Sequence, residues 1–313
     1  MNRRQFIAWS ARAGAGLAFA SPVKWLPAAP GDAAPKRFDF SVPPSPALPQ
    51  LAIAKGASPG AQARAAIEAI GGMGRFVAKG DRVAVKPNIS WDSTPELGAD
   101  THPEIVAAIV EMAFKAGARE VVVFDHIIEE PLRCLAVSGI GPAAEKAGAK
   151  VITQGPRAFR DVNVGGAVGT WPVMVPLLET DKFINVPVVK QHKLSSLTAA
   201  MKNLYGIIGG RRGKLHGVID ESIADLAAFA RPTLVVLDAT RVMTQHGPSG
   251  GRPADLIYPK LVAAGTDQVA LDSWAAALLG MKPADVEYIG LAQARGLGTT
   301  DYQGLRTKNV ECA

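Results

Sequence analysis

Two lysines of this chain stand where apolar runs end. Arg82-Val-Ala-Val-Lys86 is stopped by Pro87-Asn88, and Lys190 and His192 follow a second run that begins at Lys182. In an open α/β sheet, side chains at the carboxyl ends of strands face the edge where ligands bind. The histidines are placed in the same way. His102 precedes a helix start at Pro103, His126 follows a run ending at Asp125, and His246 comes shortly after a run ending at Asp238. His192 and His216 lie within the most polar part of the chain. Histidine titrates near neutrality, so these two are the candidate acid and base.

That polar part is residues 185–217. A strand ends in Lys190 and His192, and Ser195 is expected to cap a helix that carries Thr198 and Lys202 through Tyr205. Gly206 closes it, and Gly209-Gly-Arg-Arg-Gly-Lys214 follows as a basic, glycine-rich loop. Lysines beside a helix N-terminus suit an anion, and glycines let backbone approach a ligand closely. A small anionic ligand is therefore the expected partner. Lys86, Lys190 and Lys202 would hold it, and Asp125 or Asp272 would balance their charge. The spacing is not that of a phosphate-binding Walker loop, and no His-Glu-x-x-His pair occurs. A metal site built from His102, Asp125, His126 and His192 stays open as an alternative, and local spacing does not favour it.

The elements needed to hold these residues alternate. Strands are expected at 51–55, 82–86, 120–125, 150–153, 182–188, 233–238 and 260–264. Helices are expected at 61–70, from Pro103 to Gly117, at 143–147, from Asp220, at 272–279 and at 285–295. Continuous apolar runs such as Glu120-Val-Val-Val-Phe-Asp125 suit strands covered on both faces. The expected fold is α/β: a mostly parallel central sheet, helices on both faces, and a small β-hairpin insertion at 161–175 outside it.

The N-terminus reads differently. Arg3-Arg4-Gln-Phe-Ile heads a weakly apolar stretch too short and polar to span a membrane, the pattern of a twin-arginine signal. Residues 1–34 are taken as signal and processing region, 35–50 as a proline-rich linker, and 51–313 as one domain. A periplasmic or otherwise extracytoplasmic location follows, with the twin-arginine translocase as partner during export. The formal charge is +6, and loss of Arg3, Arg4, Arg12 and Lys24 with Asp32 leaves a mildly basic protein. No basic run interleaved with aromatics occurs, so nucleic acid is not expected as a partner. Cys134 and Cys312 form no C-x-x-C, so no iron–sulfur cluster is expected within the chain. Cys134 reads as buried and Cys312 as part of a frayed tail.

Several segments together resemble the domain-of-unknown-function 362 family over about Leu51 to Leu297: Gly80-Asp-Arg-Val-Ala-Val-Lys-Pro-Asn88, Ile184-Asn-Val-Pro187, Lys190 with His192, Met201-Lys-Asn-Leu-Tyr-Gly206, Gly247-Pro248 with Gly250-Gly251, and Val269-Ala-Leu-Asp272. The resemblance implies a polar site of Lys86, Asn88, Lys190, His192, Lys202, Asn203 and Asp272. Some relatives carry an added ferredoxin-like cluster domain, whose cysteines this chain lacks. A fainter similarity, through the histidine-bearing loops and the Gly209-Gly-Arg-Arg-Gly-Lys214 run, is to the nickel-pincer lactate racemase type. Cofactor and metal stay unassigned. Two functions are carried forward: an exported enzyme acting on a small anion, and a non-catalytic binding or maturation factor for an exported redox enzyme. A catalyst should gather a lysine and a histidine around one ligand position. A binding factor should show a broad apolar patch beside the basic loop.

Overall fold

The computed structural model describes residues 37–250 and 252–312. The arginine pair and the expected signal lie outside the described residues. The strands are β1 (Phe38–Asp39), β2 (Leu51–Lys55), β3 (Arg82–Pro87), β4 (Glu120–Phe124), β5 (Lys150–Ile152), β6 (Phe159–Gly165), β7 (Gly169–Met174) and β8 (Lys182–Val186). They continue as β9 (Val188–His192), β10 (Ser196–Thr198), β11 (Ala230–Arg231), β12 (Leu234–Met243), β13 (Leu256–Ile257), β14 (Leu261–Gly265) and β15 (Thr307–Glu311). The α-helices are α1 (Pro59–Ala69), α2 (Pro103–Lys115), α3 (Pro131–Val137), α4 (Ile140–Lys146), α5 (Val175–Leu178), α6 (Ala200–Asn203), α7 (Ile219–Phe229), α8 (Gln268–Leu278) and α9 (Glu287–Ala294).

The fold is α/β around an 11-stranded sheet whose main path runs β15-β2-β14-β12-β8-β3-β4-β5. The four strands expected to form its centre, β12, β8, β3 and β4, are adjacent and mutually parallel. Their apolar runs need cover on both faces, and alternation supplies it. Val83 and Val85 of β3 face a core with Ile67 of α1, Ile105 of α2 and Ile140 of α4. Ala84 faces the other core with Ile223 of α7, Leu271 of α8 and Ile289 of α9. Along the main path, antiparallel pairing enters towards one side, where β14 runs against both β12 and β2; off that path, β10 pairs antiparallel with β9 and β13 with β12. The hairpin β6–β7 forms its own two-stranded sheet, as expected.

Three local expectations fail. Ser195 caps no helix: its Oγ donates to the Leu197 carbonyl, and Ser196–Thr198 pairs antiparallel with β9, placing Thr198 opposite Lys190. The cause is His192, whose Nδ1 accepts the N–H groups of both Leu194 and Ser195 and so folds the chain back at once. The helix that carries Lys202 is only α6. Asp220 sits in the first turn of α7 and does not cap it. The C-terminal tail is not frayed: β15 pairs with β2, and the Cys312 N–H bonds the Lys55 carbonyl. Both described cysteines are free thiols. Residues 38–40, inside the stretch read as linker, also pack on the body. Phe38 meets Phe229 edge-on at 5.3 Å, and Phe40 meets Phe183 at 6.0 Å.

Candidate functional site

The chain leaving β3 goes on to β4 on one side, and the chain leaving β8 continues into β9, which pairs with β12 on the other, so the strand order diverges at the β3–β8 boundary. Lys86 of β3 pairs there with Asn185 of β8. This is the position at which open α/β sheets take ligands. Lys86 is fully buried, and its Nζ lies 2.9 Å from Asp125 Oδ1 at the end of β4. It also donates to Asn203 Oδ1 at 3.1 Å and to the Pro87 carbonyl at 3.0 Å. Burial holds Lys86 below its ordinary range, and the Asp125 charge opposes that shift. The second Asp125 oxygen accepts the Ile89 N–H. The pair leaves no space above it: a Cβ at Gly206 would clash with both Asp125 and Lys86, which is why that position needs glycine.

From this pair a chain of amides leads to the second lysine. Asn203 Oδ1 also accepts from Asn88 Nδ2 at 3.1 Å, and Asn88 Oδ1 accepts from Lys190 Nζ at 2.8 Å. Asn203 Nδ2 in turn donates to Asn185 Oδ1 at 2.8 Å. Lys190 further donates to the Ala99 carbonyl. Burial lowers Lys190 and raises Asp100, while their opposite charges work against both shifts. Asp100 accepts the Ser90 N–H through one oxygen, and its other oxygen has no hydrogen-bond partner among the described residues.

A cleft of about 700 Å³ lies in front of this network, lined by Asn88, Asp125, Lys190, His192, Lys202 and Asn203 together with His126, Arg212 and His216. Lys202 Nζ sits 4.0 Å from the Tyr205 ring centroid. Burial first, and then Arg212, Lys190 and Lys86, pull its titration down to about 7. Arg212 donates to the Tyr205 carbonyl at 3.0 Å and the His126 carbonyl at 3.2 Å. Among the described residues neither Lys202 nor Arg212 has a carboxylate within ion-pair distance.

The histidines take opposite tautomers. His192 Nδ1 is an acceptor for two N–H groups, so its proton sits on Nε2. Burial, with Lys202, Lys190 and His216 nearby, pushes it down to about 3. The expectation of a His192 that titrates near neutrality is thereby corrected: it is a neutral donor. His126 Nδ1 lies 2.6 Å from the Ile208 carbonyl, which can only accept, so Nε2 carries the free lone pair. His216 is exposed at the rim.

The domain of unknown function DUF362 matches residues 83–277. The chain belongs to this DUF362 family. The thylakoid-associated protein sll1697 of Synechocystis sp. is 27% identical over 248 residues, which is 77% of this chain and 76% of that protein. Among solved structures, the lactate racemase apoprotein of Thermoanaerobacterium thermosaccharolyticum aligns with a TM-score of 0.41 at 11% identity, over 72% of this chain and 56% of that one. A Thermotoga maritima protein aligns with a TM-score of 0.37 at 10% identity, over 70% and 56%. The chain thus spans little more than half the length of either solved structure.

The site residues taken from the DUF362 resemblance divide by position. Lys190, His192, Lys202, Asn88 and Asn203 line the cleft, and Lys86 lies directly behind it. Asp272 is not part of the lining. It is fully buried on α8, and its carboxylate accepts the Ala200 and Met201 N–H groups, which fixes the start of α6 and thereby the position of Lys202. His102 and His246 are likewise elsewhere: His102 caps α2, and His246 Nδ1 lies 3.0 Å from Asp255. Among the described residues no group of three or more His, Cys, Asp or Glu is placed to hold a metal ion. Sequence reasoning placed His126 at the ligand-binding edge without a role of its own, and missed Arg212 as a lining residue. One further sequence pattern has a structural use only. Gly56-Ala-Ser-Pro-Gly60 has the spacing of a nucleophile elbow, but Ser58 is the extended N-cap of α1 and its Oγ accepts the Ala61 N–H.

Proposed function

We propose that this DUF362 protein is an enzyme acting on a small anionic ligand held between Lys202 and Arg212. One observation carries the reading: two partly buried cations, Lys202 and Arg212, face the same cleft without a carboxylate partner among the described residues, whereas Lys86 has Asp125, Lys190 has Asp100 nearby, and Lys193 is exposed to water. Clustered like charges in a partly desolvated site repel, and a bound anion reverses that cost. The remaining groups supply proton chemistry. Lys202, titrating at about 7, exists in both forms near neutrality. His192 offers an Nε2–H to an oxygen that gains charge, and His126 offers the basic Nε2. A lysine and a histidine around one ligand position are the arrangement expected of a catalyst.

The test uses sulfate, a dianion that does not itself titrate near neutrality, with binding followed by calorimetry. The anion requires Lys202 protonated. Affinity should be greatest below pH 7 and fall as pH rises through the lysine's titration, by up to about tenfold per unit. Absence of binding, or a flat profile between about pH 6 and 9, would remove the anion reading.

We also propose export by the twin-arginine pathway, on the strength of Arg3, Arg4, Phe6 and Ile7. Changing both arginines, Arg3→Lys with Arg4→Lys, should leave the protein in the cytoplasm by fractionation and immunoblot. Normal amounts outside would overturn the assignment.

A further inference from the structure

We propose that the ligand is amphiphilic: an anionic head on Lys202 and Arg212, with an apolar body lying against Ile128 and Leu194 at the mouth of the cleft. The inference rests on the anion reading above and adds what the rest of the ligand must be. Ile128 is 56% exposed and Leu194 52% exposed, and both line the same cleft as the cations. Single exposed apolar residues need no explanation, but these two flank one opening and both stand on clamped backbone. Leu194 is in the turn whose N–H groups His192 Nδ1 holds at 3.1 and 3.2 Å. The residue before Ile128 is held on both sides by one amide, with the Ile127 N–H donating to Gln154 Oε1 at 3.1 Å and the Ile127 carbonyl accepting from Gln154 Nε2 at 2.7 Å. The two side chains are therefore presented to water by a built frame.

The cleft's size points the same way. About 700 Å³ falls within the range of pockets that enclose drug-sized organic molecules, and an inorganic anion would fill a small part of it. The floor is cationic and amide-rich, and the mouth carries the exposed aliphatic groups. A ligand that enters head first meets complementary chemistry at both ends.

A calorimetric series of inorganic, methyl, butyl and hexyl phosphate decides the matter. Each buried methylene can add up to about fourfold in affinity, so hexyl phosphate should bind at least tenfold more tightly than methyl phosphate. Ile128→Asn with Leu194→Asn should reduce that ratio to below threefold while methyl phosphate is still bound. Equal affinity for methyl and hexyl phosphate in the native protein overturns the amphiphile and leaves the anion site standing. No binding of any phosphate sinks the anion reading itself. If the double substitution leaves the ratio intact but turns a dimer into a monomer by sedimentation, the two residues belong to a contact between copies, and the proposal fails.

Discussion

Lys86→Met is expected to destabilise the protein by about 3–5 kcal/mol, seen as a lower urea midpoint with an unchanged slope. Lys86 is 0% and Asp125 1% exposed, and their Nζ–Oδ1 distance is 2.9 Å. Methionine fills similar volume but leaves a carboxylate buried, with the Ile89 N–H as its remaining donor. It also strips the Asn203 amide oxygen of one of its two donors, Asn88 Nδ2 being the other. Adding Asp125→Asn should recover a large part of the loss, because the pair is costly mainly when only one charge remains. A cost of under about 1 kcal/mol for the single change would mean that water reaches the pair, and the burial described here would be wrong. Asp125 lines the cleft, so its unpaired carboxylate should also weaken sulfate binding, and because Lys86 lies behind the lining, adding Asp125→Asn should restore nearly native affinity. That separates a residue that builds the site from one that contacts its ligand.

The scaffold was legible because its signals are local. Val-Ala-Val before Lys86 and Val-Val-Val-Phe before Asp125 are short, β-branched apolar runs that suit strands covered on both faces, and such strands in a βα alternation run parallel. Their ends then share one edge, which brought Lys86, Asn88, Lys190 and His192 together on sequence alone. Placement beyond the strand ends was not legible. Ser195 has the residue type of a helix cap, yet a histidine three positions earlier takes its N–H, and the segment becomes a strand. Asp272 sits in a segment shared with the family and reads as a ligand group, but its carboxylate is used up on two backbone N–H groups 71 and 72 residues away. Burial also raises its titration to about 7, because the charged form is disfavoured out of water.

Arg212, which was missed, and His126, whose role was not legible, show a different limit. Arg212 lies in a run of glycines and cations, a composition typical of a solvated loop. What makes it a wall of the cleft is a pair of carbonyls, those of Tyr205 and His126, that come from separate parts of the chain. His126 was placed correctly at a strand end, but its basic nitrogen depends on the Ile208 carbonyl, 82 positions away. Residue types predict which chemistry is available. Tautomer and charge state are decided by long-range partners, and for that reason His192 carries a neutral donor where sequence suggested a neutral-pH acid or base.

Lys202→Met should act in opposite directions on binding and on stability, and the pairing of signs is the diagnostic. A charge-assisted contact to a bound anion contributes about 1.5–3 kcal/mol, so losing the ammonium should weaken sulfate binding at pH 6 by roughly 10- to 100-fold. Arg212→Met should do the same, and the two together should lower affinity by at least two orders of magnitude, subject to coupling between neighbours. Without anion, the unpaired ammonium of Lys202 is a cost to the fold. Its neighbours Arg212, Lys190 and Lys86 all repel it, and its titration has fallen to about 7. Methionine keeps the contact with the Tyr205 ring and removes the charge, so Lys202→Met should raise stability by about 0.5–2 kcal/mol at pH 6, the usual gain when a functional strain is relieved. The gain should be full below about pH 7 and shrink as pH rises from there towards the lysine's ordinary value of 10.5, because over that window the native state must give up a proton that the unfolded chain keeps. Arg212→Met should show no such gain, since it also abandons the Tyr205 and His126 carbonyls. Sulfate titrations and thermal melts on the three variants check both signs. A Lys202→Met protein that loses stability and keeps its sulfate affinity would make Lys202 a structural residue and leave Arg212 as the cleft's one partly buried cation without a carboxylate partner among the described residues.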